Sequence, residues 1–281
     1  MSAAAGSAPG TGAAGAAAPR TALVTGASSG IGAAVAAALV ARGHRVLGTS
    51  RDPGKVERPV PGVEYLALDL TDYASIEACA DAAGDVDVLV NNAGESQNGP
   101  FEELPMDAVE RVFRLNVFGA VRLTQLLLPG MRARGYGRVV MVGSMLASFP
   151  LAYRSSYVAS KAALKGFASA ARREVAPYGV GITTVEPGSI RTGISERRTQ
   201  YLREGSPFTG EYKTMLAALN ANEEKGISPE LVAATVVKAV SDARPRPLYA
   251  VGSNAPLVFA LRRLLPRGAA ERMVARRHGL R

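Results

Sequence analysis

The sequence predicts a single-domain α/β fold in which helices cover both faces of a doubly wound parallel sheet of about seven strands. From Arg20 onward, short β-branched runs alternate with helical stretches, as in consecutive βαβ units. The 281 residues are 47% hydrophobic and 20% charged, which is enough for a large buried core. These values exclude wholesale disorder, collagen-like repeats and a disulfide scaffold.

The elements follow from the residue pattern in chain order. Runs rich in valine, leucine and threonine predict strands, and the amphipathic or alanine-rich stretches between them predict helices. Residues 190–226 interrupt this rhythm: the spacer is polar, lacks strand signals and lies where a loop can close over a site, so we predict a lid. The predicted strands are residues 21–25, 45–49, 63–67, 86–91, 138–143, 181–186 and 248–251, and the predicted helices are residues 31–41, 74–82, 106–134 and 156–178.

The formal net charge of +9 is concentrated at the C-terminal end. Residues 255–281 contain seven arginines and one glutamate, a net charge of +6, so the rest of the chain carries only +3. A basic tail on a nearly neutral body does not make a nucleic-acid-binding face, and we expect no nucleic-acid partner. The arginines fit a solvated helix face, with peripheral contact to an anionic membrane surface or an acidic partner as the alternative.

The remaining compositional features predict a soluble cytoplasmic protein. Residues 1–19 are almost entirely alanine, glycine, serine, threonine and proline, which predicts a flexible extension and not a signal peptide. A glycine-rich turn interrupts the uncharged stretch 21–41, which otherwise has transmembrane length. The single cysteine, Cys79, cannot form an internal disulfide, and no cysteine/histidine cluster offers a metal site. We therefore divide the chain into the extension, a catalytic domain of residues 20–254, and a basic amphipathic tail of residues 255–281.

The first motif follows the first predicted strand and opens the first helix. It reads Thr25-Gly26-Ala27-Ser28-Ser29-Gly30-Ile31-Gly32. Glycines at such a turn let the backbone approach a pyrophosphate, and the helix N-terminus offers free N–H groups to it. The motif predicts nucleotide binding, with a purely structural glycine-rich turn as the alternative.

The end of the second strand indicates which dinucleotide binds. The residue just past this strand faces the adenosine ribose, where an acidic side chain would accept the 2′-hydroxyl bond of NAD. Ser50 and Arg51 occupy this position and suit a 2′-phosphate instead, so NADP is favoured over NAD, unless Arg51 is an ordinary solvated arginine. Asp69 and Leu70, after the third strand, suit the adenine amino group, or Asp69 caps the next helix.

The third group combines Tyr157 and Lys161 with Ser144, thirteen residues upstream of the tyrosine. The i, i+4 spacing puts the phenol and the ammonium on one helix face. A free tyrosine loses its proton near pH 10, and lowering that pKa by about 3 units needs roughly 4 kcal/mol. The charges of Lys161 and of a cationic nicotinamide are suited to supply this energy.

Together these motifs resemble the short-chain dehydrogenase/reductase family in its compact, single-domain, Rossmann-like branch. The resemblance rests on the glycine motif, on Asn91-Asn92-Ala93-Gly94, on Asn116 in a Leu-Asn-Val-Phe-Gly run, on Ser144, on the Tyr157/Lys161 pair and on Pro187-Gly188, which occur in this order between about residues 21 and 251. It implies hydride transfer between NAD(P) and a carbonyl or alcohol, in a homodimer or homotetramer.

The resemblance also implies a role for each residue. Tyr157 would be the general acid/base, Ser144 would hold the substrate oxygen, Lys161 would lower the tyrosine pKa and bind the nicotinamide ribose, and Asn116 would anchor a proton-relay water. A solvent-facing or helix-kinking asparagine is the alternative for Asn116. The residues expected at the cofactor are Gly26, Ser28, Ser29, Gly30, Ile31, Gly32, Ser50, Arg51, Asp69, Leu70, Asn92, Ala93, Gly94, Tyr157, Lys161, Pro187, Gly188, Ile190 and Thr192.

The substrate side is less specified by the sequence. The resemblance places Glu95, Ser96, Met145, Ala147, Phe149, Tyr153 and the lid at the substrate pocket. Glu95 stands where an apolar residue is expected, and it suits either a polar or cationic substrate or an exposed loop. The tail resembles C-terminal extensions of family members that act on lipophilic alcohols or ketones. Its apolar side, predicted to be buried, comprises Leu257, Val258, Leu261, Leu264 and Leu265, and it would cover the pocket, pair with another subunit or touch a membrane.

The leading hypothesis is therefore an NADP-dependent oxidoreductase acting on a lipophilic carbonyl or secondary alcohol. A catalytically silent NAD(P)-binding sensor or scaffold is the first alternative, and the presence of Ser144, Tyr157 and Lys161 argues against it. A sugar-nucleotide epimerase or dehydratase is the second. That class has a larger C-terminal substrate domain, whereas only about thirty residues follow the last predicted strand here.

Overall fold

A computed structural model describes residues 19–191, 193 and 197–280, and its centre is a seven-stranded parallel sheet. The sheet runs in the order β3-β2-β1-β4-β6-β7-β9, so the direction of strand addition reverses between β1 and β4. In such sheets the crevice beyond the carboxyl ends of the strands at this reversal is the usual ligand site. The predicted fold class is confirmed. The strands are β1 (Thr21–Val24), β2 (Arg45–Ser50), β3 (Val63–Ala67), β4 (Val88–Asn91), β5 (Gln97–Asn98), β6 (Gly137–Val142), β7 (Val180–Pro187), β8 (Thr199–Gln200) and β9 (Leu248–Val251).

The central strands are apolar along their length because the sheet is buried on both faces. Alternate residues of one strand enter different cores: Leu89 faces one side, and Val88 and Val90 face the other. Helices α2, α4 and α5 close the first face, and α1 and α7 close the second. The helices are α1 (Gly30–Val40), α2 (Tyr73–Ala83), α3 (Met106–Phe113), α4 (Gly119–Ala133), α5 (Ser155–Val175), α6 (Thr209–Glu224), α7 (Pro229–Ser241), α8 (Ala255–Leu264) and α9 (Arg267–Arg277).

The long helix predicted over residues 106–134 is divided. A π-helical turn at Arg114–Phe118 separates α3 from α4, and Asn116 lies inside it, fully buried. A π turn inserts one extra residue into the helix, and such turns occur often at functional sites. The hydrophobic period did not reveal the insertion because both flanking segments are amphipathic.

The predicted lid at 190–226 is not one continuous loop. It contains β8, which pairs with β5 in a separate two-stranded sheet, and the 16-residue α6. The helix buries Tyr212, Met215 and Leu219, which recur at helical spacing. This spacing is visible in the sequence, but the many polar residues between the three side chains hid it.

The tail forms two helices, and its buried side differs from the predicted one. Leu257 and Leu264 are 60% and 82% exposed, whereas Val258 packs against a buried cluster that includes Phe149 and Tyr212. The chain turns at Leu265, whose backbone is extended, so α9 sets out in a new direction. The prediction that this apolar side is buried was therefore wrong for Leu257 and Leu264. The tail residues with little exposed surface are Ala255, Ala270, Val274, His278 and Leu280. Within the described part of the chain, no helix is both long and apolar enough to cross a membrane.

Candidate active site

The glycine motif forms a tight turn between β1 and α1. Gly26 has a φ of +67°, a backbone conformation that residues with a Cβ rarely adopt. A Cβ on Gly32 would overlap the carbonyl oxygen of Gly26 and approach Asn92 Nδ2 to 2.6 Å. The first turn of α1 is thus pressed against the loop, which leaves the helix N-terminus open toward the cavity.

Hydrogen bonds join the carboxyl ends of three neighbouring strands around this turn. Thr25 Oγ1 accepts from the backbone N–H groups of Asn92 and Ala93 at 2.9 and 3.0 Å, and Asn92 Nδ2 donates to the Thr25 carbonyl at 2.9 Å. The Gly26 N–H donates to Thr49 Oγ1 at 3.2 Å. The buried threonine hydroxyls therefore fix the glycine loop relative to β2 and β4.

The residues expected at the adenosine lie beside this turn. Ser50 makes a local turn with the backbone of Asp52, and the exposed Arg51 lines the cavity. Asp69 accepts two hydrogen bonds from Thr71, which lower the pKa of its carboxyl group. Helix α2 is capped by Asp72, so the alternative role of Asp69 as the helix cap is wrong.

Ser144, Tyr157 and Lys161 line the same cavity. Ser144 follows β6 and accepts from the Leu146 N–H at 3.2 Å, while the other two project from α5. The buried Lys161 ammonium donates to the Val142 carbonyl at 2.9 Å. Burial lowers the pKa of Lys161 to about 8, so the ammonium remains mostly charged at neutral pH.

Asn116 lies behind this group and does not face solvent. Its Nδ2 donates to the Glu95 carbonyl and to Ser160 Oγ, both at 3.1 Å, and its Oδ1 accepts from the Glu95 N–H at 2.9 Å. A Cβ placed on Gly94 would lie 3.1 Å from Asn116 Oδ1 and 3.4 Å from Lys161 Nζ. Both amide hydrogens are used, so only the oxygen can take a further partner. The solvent-facing alternative is wrong.

One cavity of about 660 Å³ runs from the glycine loop to Ser144, Tyr157 and Lys161, and Asn116 is not among its lining residues. At its dinucleotide end lie the glycine loop, Arg51 and Asp69. Its substrate end draws on α6, which lies in the predicted lid, and on the tail, for which covering the pocket was one of three predicted roles. Charged or titratable side chains line this end as well, namely Arg154, Glu223, Arg277 and His278. The apolar side chains there are Met145, Phe149, Leu219, Val258, Met273 and Val274.

Most of the predicted site residues line this cavity. All of those expected at the cofactor do so, except Gly32, which is buried behind the loop, and Thr192, which lies outside the described residues. Of the substrate candidates, Glu95, Ser96, Met145 and Phe149 line it.

Two substrate candidates do not reach the cavity. Tyr153 faces a separate depression beside Phe208, and its hydroxyl donates to Glu211, while Ala147 is also outside the lining. The left-handed backbone of Tyr153, with a φ of +63°, turns the side chain away, and spacing alone gave no sign of this.

Glu95 lines the cavity but is not an exposed loop carboxylate. Its Oε2 accepts from Arg111 at 2.7 Å, and its side chain is only 20% exposed. Burial raises the pKa of this carboxyl group, against the opposing charges of Arg111 and Arg51.

The comparisons with known proteins point to one protein family. The family model for short chain dehydrogenase matches residues 20–202. Retinol dehydrogenase 8 of Bos taurus is 33% identical over 274 residues, covering 90% of this chain and 88% of that protein. A short-chain dehydrogenase structure from Streptomyces avermitilis gives a TM-score of 0.77 at 36% identity, over 88% of this chain and 94% of that chain. A short chain dehydrogenase from Burkholderia cenocepacia J2315, solved in complex with NADP, gives 0.74 at 27% identity, over 91% and 97%.

The comparisons place this α/β protein, with its candidate site at the carboxyl edge of the sheet, among the oxidoreductases. The chain belongs to the short-chain dehydrogenase/reductase family, and the resemblance stated from the sequence motifs is confirmed.

Proposed function

We propose that this protein is an NADP-dependent oxidoreductase that transfers a hydride between NADPH and a lipophilic carbonyl compound or secondary alcohol, with Tyr157 as general acid/base. The observation that carries the proposal is the single cavity, which runs from the glycine loop to Ser144, Tyr157 and Lys161. A dinucleotide laid along it would bring its nicotinamide ring to these three side chains.

The residues at the dinucleotide end suit NADP. The space beside Gly26 and Gly32, which a Cβ would fill, lets a pyrophosphate approach the backbone N–H groups of the α1 terminus. Arg51 is available for charge-assisted hydrogen bonds to a 2′-phosphate. The Burkholderia cenocepacia relative solved with NADP supports this choice. When bound, the cofactor supplies or accepts the hydride.

The residues at the reacting centre would bind the substrate oxygen and transfer the proton. Ser144 donates a hydrogen bond to the substrate oxygen, and Tyr157 gives a proton to it in reduction or removes one in oxidation. The buried ammonium of Lys161, which lines the same cavity, would hold the nicotinamide ribose of the bound cofactor. The remaining lone pair of Asn116 Oδ1 would hold a water that carries the proton onward past Lys161.

The walls of the substrate end support a lipophilic substrate. Met145, Phe149 and Val274 present apolar surface there, and Phe149 stacks edge-on against Phe259 of α8 with 5.1 Å between ring centroids. The similarity to retinol dehydrogenase 8, named for a lipophilic alcohol, points the same way. A cytoplasmic location and a homodimer or homotetramer complete the proposal. No specific observation favours the silent sensor or the epimerase.

The experiment is an NADPH-oxidation screen against a panel of ketones and aldehydes, followed by Tyr157→Phe. The variant lacks the proton donor, so we expect kcat to fall by about 10²–10⁴-fold while the Kd for NADPH stays within threefold. Tyr178→Phe, at a tyrosine outside the cavity, is the matched control and should retain wild-type kinetics. Substantial turnover by a folded Tyr157→Phe protein would refute the proposed mechanism.

A further inference from the structure

Two buried arginines lie beside the substrate end, and their surroundings differ. Arg198 is neutralised: it donates to Glu223 Oε1 at 2.5 Å and to Asn220 Oδ1 at 3.0 Å. Arg154 directly precedes α5 and is only 3% exposed. Across residues 19–191, 193 and 197–280, no carboxylate forms an ion pair with Arg154.

The contacts of Arg154 leave its charge uncompensated. Its Nη2 donates to Ser96 Oγ at 2.8 Å, and its guanidinium carbon lies 4.5 Å from the centre of the Tyr157 ring. Its Nε is buried without a hydrogen-bond partner among the described residues. Burial lowers the pKa of Arg154 to about 10, so the side chain is still cationic at neutral pH. A buried cation held by one hydroxyl and one aromatic face is costly to fold.

The same guanidinium lines the cavity beside Tyr157. The nearby groups do not supply the missing negative charge: Glu223 attracts it from a distance but pairs with Arg198, and His278 contributes no negative charge. The planar, forked guanidinium matches a carboxylate through two parallel hydrogen bonds. An anionic group of the ligand would therefore supply the negative charge that the guanidinium of Arg154 lacks.

We infer that the substrate carries a carboxylate close to its reacting carbon and that Arg154 binds this carboxylate. The inference rests on the proposed function and narrows its substrate class to oxo acids and hydroxy acids with an apolar chain. In oxidation, the hydroxy acid loses a hydride to NADP and a proton to Tyr157, giving the oxo acid and NADPH; the carboxylate is unchanged. The apolar chain would lie along Phe149 and Val274.

Ligand binding tests the inference without any turnover. Calorimetric titration of the wild-type protein, with and without NADP, compares octanoate with octanamide, which has the same shape and no charge. We expect octanoate to bind at least tenfold more tightly. Arg154→Gln should abolish this preference, Arg154→Lys should retain part of it, and Arg173→Gln, at the exposed end of the same helix, should leave it intact. Equal binding of the two compounds by wild type would overturn the inference, even if no Arg154 variant folds.

Kinetics separate this claim from the proposed function. The two substrates are 3-hydroxyoctanoate and its uncharged methyl ester. Arg154→Gln should raise the KM for the acid at least tenfold, whereas the KM and the kcat for the ester should change much less. An equal loss of kcat on both substrates would show that Arg154 acts only through Tyr157. Failure of wild type to oxidise either compound, with octanoate still preferred in titration, would count against the proposed function and leave the carboxylate site supported.

Discussion

At the scale of single residues, the proposed function depends on three of the cationic side chains that line the cavity. Arg51 is exposed at the dinucleotide end, Arg154 is buried at the substrate end, and Lys161 is buried between them. Anionic or hydroxyl groups of ligands are suited to satisfy all three. This arrangement makes the effect of each side chain separately measurable.

Replacing Arg51 should change the choice of cofactor. A charge-assisted contact to the 2′-phosphate is worth on the order of 1.5–3 kcal/mol, or roughly tenfold to a hundredfold in Kd. We expect wild type to bind NADPH more tightly than NADH, and Arg51→Ala to lose that difference while its Kd for NADH stays within threefold. Fluorescence titration of both cofactors measures this, with Arg58→Ala, exposed and outside the cavity, as the control. Equal Kd values in wild type would overturn the assignment.

Replacing Lys161 should change how stability depends on pH. The pKa of Lys161 is about 8 in the folded protein, below the ordinary value of 10.5. Between these two pH values the unfolded chain binds more protons than the folded protein, so the free energy of unfolding increases as the pH rises. Below pH 8 Lys161 is protonated in both the folded and the unfolded state, so the folded protein is destabilised by the full free energy of burying the ammonium. Lys161→Met removes this cost, so its stability relative to wild type should fall by about 2 kcal/mol between pH 7 and 9.5.

Urea unfolding at several pH values measures this difference for the Lys161 variant. Lys213→Met, at an exposed lysine of α6, should run parallel to wild type throughout. If the free energies of unfolding of Lys161→Met and wild type also change in parallel with pH, burial of the Lys161 ammonium does not destabilise the folded protein, and the prediction is wrong.

At the scale of elements, different strands and helices form the two ends of the cavity. Strands β1, β2 and β4 with α1 build the dinucleotide end, whereas α6 and the tail helices close the substrate end. The tail contributes Val258, Val274 and His278 to this wall. Changes in the tail should therefore act on the substrate and spare the cofactor.

Deleting residues 256–281 should raise the KM for apolar substrates at least tenfold, because the deletion removes one wall of the cavity and exposes the buried cluster around Phe149. The Kd for NADPH should stay within threefold. A matched pair of point variants refines the test: Val274→Asn places a polar group in the wall, whereas Leu264→Asn changes a side chain that is 82% exposed. Steady-state kinetics should show the increase for Val274→Asn alone. A truncated protein with unchanged kinetics would reduce the tail to an appendage.

At the scale of the whole molecule, the positive charge and the substrate end lie together. The tail holds +6 of the net +9, and its helix α9 both lines the cavity and carries exposed arginines such as Arg272 and Arg276. Such a distribution would attract anionic ligands toward this end of the molecule, and the effect would weaken as salt is added. Assembly into a homodimer or homotetramer and contact with a membrane stay predictions. The flexible extension predicted for residues 1–19 lies, except for Pro19, outside the described residues.

Features that depend on residues close together in the sequence could be predicted from it, whereas features that depend on contacts between distant residues could not. The seven strands of the main sheet were predicted to within two residues at each end, because valine-rich runs between turns reflect burial on both faces. The helix α6 was missed because only three of its sixteen residues are buried, and polar residues separate them. The π turn at Asn116 depends on contacts of that side chain with Glu95 and Ser160, far away in sequence.

The sequence by itself determined the fold class, the glycine loop and the presence of Ser144, Tyr157 and Lys161, because local backbone demands and short spacings are written in consecutive residues. Only the tertiary structure decided that Tyr153 points away, that Leu264 is exposed and that the tail lines the cavity. It also placed the unpaired charge of Arg154 against Tyr157. Burial and pairing are properties of the neighbours that a fold brings together, and residues far apart in the chain supply those neighbours.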